Sequence, residues 1–266
     1  MRLAFIGGGM MGEAIIAGAI ANDVTDAGNI TVAEIVGSRR KALTSKYGVK
    51  ATADVAEAAA AGDLVVLAVK PQEFANAAAP LNGALRADQT VMSIMAGVRI
   101  ETIAEVTGHT AIVRTMPNTP ATIGEGMTVW TATAAVAAPA RDSVRRLLSV
   151  LGEETAVDDE KYIDMATAVS GSGPAYVFLV IEALVDAAVE IGLEREMATR
   201  LVLQTVKGSA RYAEKSGAAP AALREQVTSR GGTTEAALRE LEDAGVRAAF
   251  ARAVGAAYAR AKELGG

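Results

Sequence analysis

The chain has 266 residues, a formal net charge of -5, no cysteine and a single histidine, His109. With 51% apolar and 21% charged residues it can build one large core or two ordinary ones, which excludes a disordered chain. The missing cysteines exclude disulfides, thiolate nucleophiles and cysteine-bound metals, the lone His109 excludes a histidine cluster, and the acidic balance speaks against nucleic acid, whose phosphates need a basic face.

Aromatic residues are scarce and Ala and Gly abundant, which favours closely packed helices over a β-sandwich. In chain order, Leu3–Ile6 reads as a short buried strand and Met10–Ala21 as a helix. Four glycines by position 12 and the acid Glu13 make this start a strand and turn, not a cleaved leader. Ile30–Ala33 is a second strand, followed by a helix over Ser38–Tyr47. Asp63–Val69 is the clearest buried strand, and two more follow at Thr90–Ile94 and Thr110–Thr115. Strands separated by helices of this length imply βαβ units and a parallel sheet covered on both faces.

Beyond about Leu151 strand signals fade and helical patterns take over. Pro174–Ile191 starts with proline at a natural first helical position and stops before Gly192. Its acids Glu182, Asp186 and Glu190 form one stripe and the other faces are apolar, so it has to be buried widely, in its own domain or against a partner subunit. Glu194–Glu214 and Val246–Leu264 read as further helices. The expected domains are residues 1–159 and 160–266. No uncharged run approaches the roughly 20 residues of a membrane span, so no membrane partner is expected and the cytoplasm is the expected location.

Gly7-Gly8-Gly9-Met10-Met11-Gly12 matches G-x-G-x-x-G between a strand and a helix, the context a dinucleotide requires. Gly7 permits the turn, Gly9 lets the backbone approach a pyrophosphate, and Gly12 allows close helix packing. The amides of the helix N-terminus, at Met10 and Met11, suit the anion. Glu34 follows by about 20 residues, the spacing of an acid that hydrogen-bonds a ribose 2′-OH and favours NAD. Ser38, Arg39 and Arg40 follow at once, and they alternatively hold a 2′-phosphate and favour NADP. The choice between NADPH and NADH stays open at this point.

Four further segments carry a family resemblance: Ala68-Val69-Lys70-Pro71, Arg114-Thr115-Met116-Pro117-Asn118-Thr119-Pro120, Ala168 to Tyr176 (AVSGSGPAY), and Val227 to Thr234 (VTSRGGTT). With the glycine turn they resemble Δ1-pyrroline-5-carboxylate reductase over about residues 2–264. AVSGSGPAY and the GGTT segment are the specific parts. The resemblance implies an α/β fold: an N-terminal Rossmann doubly wound sheet followed by an all-α C-terminal dimerisation domain. It implies a homodimer of interleaved helices, with dimers assembling further into a decamer.

It also implies hydride transfer from NADPH or NADH to the cyclic imine pyrroline-5-carboxylate, giving proline. Proximity and orientation supply most of the acceleration, so the lack of a histidine acid is no obstacle. By the resemblance, Ser229 and the amides of Gly232 and Thr233 hold the substrate carboxylate, with Gly231 shaping the turn. The Thr234 hydroxyl faces the ring nitrogen as the catalytic group. The expected cofactor contacts are Gly7, Gly9, Met10, Met11, Gly12, Glu34, Ser38, Arg39, Ala68, Val69, Lys70, Pro71, Ala96 and Asn118, and no metal.

Arg230 stands where the family usually has proline, and Val55 where it often has asparagine near the ribose. Lys70 is read as structural, with the Val69–Pro71 backbone touching the dinucleotide. Ser170 and Ser172 have no assignable histidine–acid pair, which excludes hydrolysis. His109, after Gly108, is read as a satisfied surface residue. Competing readings are a related imine or β-hydroxyacid reductase and a non-catalytic dinucleotide-binding protein.

Overall fold

Period-two alternation in the first strand decides how the sheet is covered. In β1 (Leu3–Ile6), Leu3 and Phe5 enter the core on one face and Ala4 and Ile6 the core on the other, all at most 1% exposed. A strand buried on both faces needs helices on both sides, and the chain supplies them. The computed structural model describes residues 1–264; Gly265 and Gly266, the end of the expected second domain, lie outside the described residues.

In order come α1 (Met10–Ala21), β2 (Ile30–Ala33), α2 (Gly37–Tyr47), β3 (Lys50–Thr52), α3 (Val55–Ala61), β4 (Leu64–Leu67), α4 (Phe74–Ala78), β5 (Thr90–Ser93), α5 (Ile100–Thr107) and β6 (Ile112–Met116). Then follow β7 (Gly126–Ala132), α6 (Ala138–Ser149), β8 (Gly152–Ala156) and α7 (Lys161–Ala166). The strands lie in the order β3-β2-β1-β4-β5-β6-β7-β8. All neighbours pair in parallel except β6 with β7. The strand order reverses between β1 and β4, the crevice where open α/β sheets bind ligands.

The strands expected at 3–6 and 30–33 and the helix at 10–21 are found at those bounds. Strands β3, β7 and β8 lie outside the strands that the sequence pattern marks. β8 has the sequence GEETA and is mostly exposed, so it shows no apolar signal. Hydrogen bonding holds it in place: Gly126 N donates to Leu151 O at 2.7 Å, and the Trp130 indole donates to the Glu154 carboxylate. Charged residues on such an edge discourage pairing with another chain.

Contacts divide the chain into two units, residues 1–172 with the segment from Ala257 onward, and residues 173–256. The expected boundary at 159/160 falls inside the first unit. Arg114 on β6 explains why, because its guanidinium binds Glu160 at 2.7 Å and Asp164 at 2.6 Å and ties α7 to the sheet. His109 also differs from expectation. It is buried, and its Nε2 lies 2.8 Å from Gln89 O, so the residue is satisfied inside the fold and not at the surface.

The second unit contains α8 (Gly173–Glu190), α9 (Arg195–Ser216), α10 (Pro220–Gln226), α11 (Thr233–Asp243) and most of α12 (Val246–Leu264). Its core is small: Val185, Ala198 and Val202, flanked by residues such as Ile181 and Val189. Much of the apolar surface of α8 faces outward, with Phe178 58% and Leu179 65% exposed. The helical run Lys161–Glu190 is long and apolar enough by length and composition to cross a membrane. That corrects the expectation of no such run: residues 165–181 carry no charge.

Candidate functional site

The β1–α1 turn is built on a residue only glycine can supply. Gly7 has φ +101°, and a Cβ there would lie 2.6 Å from Ala68 O at the end of β4. Its N–H donates to Ala33 O, and Ala68 N donates to Ile6 O, each at 2.8 Å, so the turn is laced to both neighbouring strands. Gly12 closes the same contact from the helix side, where a Cβ would meet Gly7 O at 3.0 Å and Ala68 Cβ at 3.3 Å.

Gly9 is different. Its backbone is ordinary (φ -68°), and the nearest atom to a Cβ there is 4.0 Å away. The space beside it is the cleft itself, and a side chain would enter it. Gly9 is the N-cap of α1 with no side-chain cap, and the first intrahelical bond runs from Glu13 N to Gly9 O at 2.8 Å. The Met10, Met11 and Gly12 amides therefore lack intrahelical acceptors and carry the positive end of the helix dipole. This cradle fits a pyrophosphate.

The cleft in front of the turn has a volume of about 570 Å³ and is lined by Gly7, Gly9, Glu34, Ala68, Val69 and Lys70 among others. A second hollow of about 520 Å³ adjoins Gly9, Glu34, Ser38 and Arg39. These two spaces bring together eight of the expected cofactor residues. Val55 lines the first, offering only apolar contact where an amide was expected in the family. Lys70 caps the short 3₁₀ turn at Pro71 and its side chain is exposed.

Met10 is 71% exposed, and Met11, Pro71, Ala96 and Asn118 line neither space. Asn118 is engaged elsewhere: its Oδ1 accepts from Met127 N at 2.8 Å and its Nδ2 donates to Ser170 O at 3.1 Å. It joins the MPNTP segment to the serine–glycine segment, where Thr167–Gly171 forms a π-helical turn closed by Ser172 N to Thr167 O at 2.8 Å. π-Turns of this kind recur at functional sites.

Several contributors escaped sequence reading because they lie far apart in the chain. Glu13 accepts from Lys46 at 2.8 Å, from the Tyr47 hydroxyl at 2.7 Å and from Arg39. Lys46, then Tyr47, and Arg39 more weakly, hold its carboxyl down at about 2. Arg39 also donates from Nε to Gly8 O at 2.7 Å, bracing the turn from behind. Glu34 accepts from Gly8 N at 3.0 Å and from Val36 N at 2.9 Å.

The loop Ser229–Gly232 precedes α11 in the second unit. Gly231 has φ +74°, its N–H donates to the Glu235 carboxylate at 2.7 Å, and Gly232 N donates to Ser229 O at 3.0 Å. The Gly231 and Gly232 amides are thus taken by the turn. The Thr233 and Thr234 amides open α11 with no side-chain cap. Ser229 and Arg230 are exposed and Thr234 is half-buried.

A doubly wound sheet with a glycine turn, an open helix N-terminus and an acid at the end of β2 defines a dinucleotide-dependent oxidoreductase. Comparison with known proteins agrees. Residues 2–97 match a family model described as NADP oxidoreductase, coenzyme F420-dependent, and residues 160–264 match one described as pyrroline-5-carboxylate reductase dimerisation. The Synechocystis pyrroline-5-carboxylate reductase is 43% identical over 100% of this chain and 98% of its own. The solved Coxiella burnetii enzyme is 38% identical with a TM-score of 0.91, covering 100% and 98% of the two chains. The Plasmodium falciparum pyrroline carboxylate reductase, solved with NADP bound, is 32% identical with a TM-score of 0.92 over the same shares. The chain belongs to the pyrroline-5-carboxylate reductase family.

Proposed function

We propose that this chain reduces L-1-pyrroline-5-carboxylate to L-proline, the last step of proline biosynthesis. The observation that carries the reading is the dinucleotide cradle at Gly7–Gly12 in a chain similar over its whole length to pyrroline-5-carboxylate reductases. Bound at that cradle, a reduced nicotinamide supplies a hydride. The Met10–Gly12 amides would hold its pyrophosphate, Glu34 its ribose, and the Ala68–Lys70 backbone its nicotinamide half.

The substrate carboxylate takes the Thr233 and Thr234 amides and the Ser229 hydroxyl, with the Thr234 hydroxyl toward the ring nitrogen. The imine carbon would gain the hydride and the ring nitrogen would take its proton from solvent or a hydroxyl, so the protein needs no strong acid. Its work is orientation. His109 is committed to Gln89 O and takes no part.

The outward apolar face of α8 supports a homodimer through the helices of the second unit, and such dimers build a decamer by family resemblance. The cytoplasm is the proposed location. The test is reduced-cofactor absorbance with purified protein and pyrroline-5-carboxylate, with proline measured in parallel. Proline should form in equal amount to the cofactor oxidised. Thr234→Ala should slow turnover by about 10²-fold or more with dinucleotide affinity unchanged. An unaltered rate removes Thr234 from the chemistry.

A further inference from the structure

We propose that this chain selects NADH over NADPH, and that the Glu34 carboxylate is the selecting group. The inference rests on the dinucleotide reading of the cleft and not on the identity of the imine. Family membership does not supply it, since the P. falciparum relative was solved with NADP.

Glu34 sits at the end of β2 and borders both spaces at the turn. Its two oxygens are pinned by backbone amides, Oε2 by Gly8 N at 3.0 Å and Oε1 by Val36 N at 2.9 Å. A carboxylate oxygen has a second lone pair, so each can still accept a ribose hydroxyl proton. A 2′-phosphate is different. It is ionised at neutral pH and carries about 1.5 to 2 negative charges, so it meets the carboxylate as a like charge. Moving Glu34 aside would break two charge-assisted bonds that shape the turn.

The two arginines that follow Glu34 already make bonds within the fold. Arg39 is held on Gly8 O at 2.7 Å and on Glu13, which also binds Lys46 at 2.8 Å. Glu13 stays ionised throughout the physiological range, with its carboxyl held down at about 2, so its hold on Arg39 persists. Arg40 donates to the carbonyls of Glu34 at 2.6 Å and Ile35 at 3.0 Å. Both arginines that suggested a phosphate site in the sequence instead brace the local backbone. Ser38 offers one neutral hydroxyl.

The test is calorimetric titration of the purified full-length protein with NAD⁺ and with NADP⁺, no imine present. NAD⁺ should bind at least about tenfold tighter. Glu34→Gln removes the charge and keeps one acceptor oxygen, and it should narrow or invert that ratio by about tenfold. Glu34→Ser should act in the same direction, and thermal melts establish that each variant is folded. Equal or tighter NADP⁺ binding by the unaltered protein overturns the inference. So does an unchanged ratio in folded variants. If neither dinucleotide binds, the cleft reading falls with it. If the binding ratio is as expected but pyrroline-5-carboxylate is not reduced, the selection stands and only the substrate assignment fails.

Discussion

Arg114 on β6 and Asp164 on α7 form an ion pair of 2.6 Å in which the arginine side chain is wholly buried. Glu160 accepts from the other terminal nitrogen at 2.7 Å and from Ile100 N at 2.8 Å. One buried cation thus joins the sheet, α5 and the start of the segment that matches the dimerisation family. Arg114→Met would leave two carboxylates facing a site built for a cation. Breaking a buried pair from one side costs about 3–5 kcal/mol, and urea unfolding should show a loss of that size. A loss below about 1 kcal/mol would mean the acids reach solvent and the clamp is ornamental to stability.

The glycine turn separates folding from binding. Gly7→Ala puts a methyl group 2.6 Å from Ala68 O at φ +101°, so it should lower the melting temperature and weaken dinucleotide binding together. Gly9→Ala meets no close neighbour and no backbone strain. Its melt should stay within about 2 °C of the parent, while its affinity for the dinucleotide falls at least about tenfold. Equal melting losses in both variants would contradict the cradle geometry.

Glu13 predicts a specific acid dependence. Its folded-state carboxyl is depressed to about 2 by Lys46, Tyr47 and Arg39. Stabilisation from a depressed carboxyl is complete above its ordinary unfolded value and is lost as pH falls through the folded one. The stability gap between the parent protein and Glu13→Gln should be full above about pH 4.5 and shrink steadily toward pH 2. Denaturant melts between pH 7 and pH 3 follow it. A gap that is constant with pH would assign the effect to shape and not to charge.

The outward face of α8 predicts an assembly effect. Phe178 and Leu179 are 58% and 65% exposed in the single chain, and covering large apolar side chains is worth about 1.5–3 kcal/mol each. Leu179→Glu should shift the species seen by light scattering toward the monomer. It should leave dinucleotide affinity intact, because the cleft lies in the other unit. A parent protein that is monomeric at working concentration would refute the proposed homodimer.

Much of the fold was legible because its signals are local. Leu3–Ile6, Met10–Ala21 and Ile30–Ala33 are unbroken apolar or helical runs next to glycine punctuation, and they fold at those bounds. The glycine turn announces its own chemistry, since the strand before it and the helix after it are set by neighbouring residues. β8 left no such trace. Its GEETA sequence is polar, and only the ladder to β7 and the Trp130–Glu154 bond make it a strand.

The site divides the same way. Residue spacing marked Gly7, Gly9 and Glu34, because short-range backbone geometry demands those residue types in that order, whereas the Ser229–Thr234 loop was marked by the family resemblance. Which group each side chain binds was decided by contacts between distant segments. The sequence offers Arg39 and Arg40 beside Glu34, and the fold sets their bonds to Gly8, Glu13 and the carbonyls after β2. The bond from Gly232 N to Ser229 O is likewise set by the folded turn. His109 could read as a surface residue until burial set it against Gln89. A donor bonds the acceptors that lie within reach of it, and a linear sequence states which donors exist without stating which acceptor is near. Periodicity and motif established the class of protein; the allocation of charges and amides was decided by tertiary proximity.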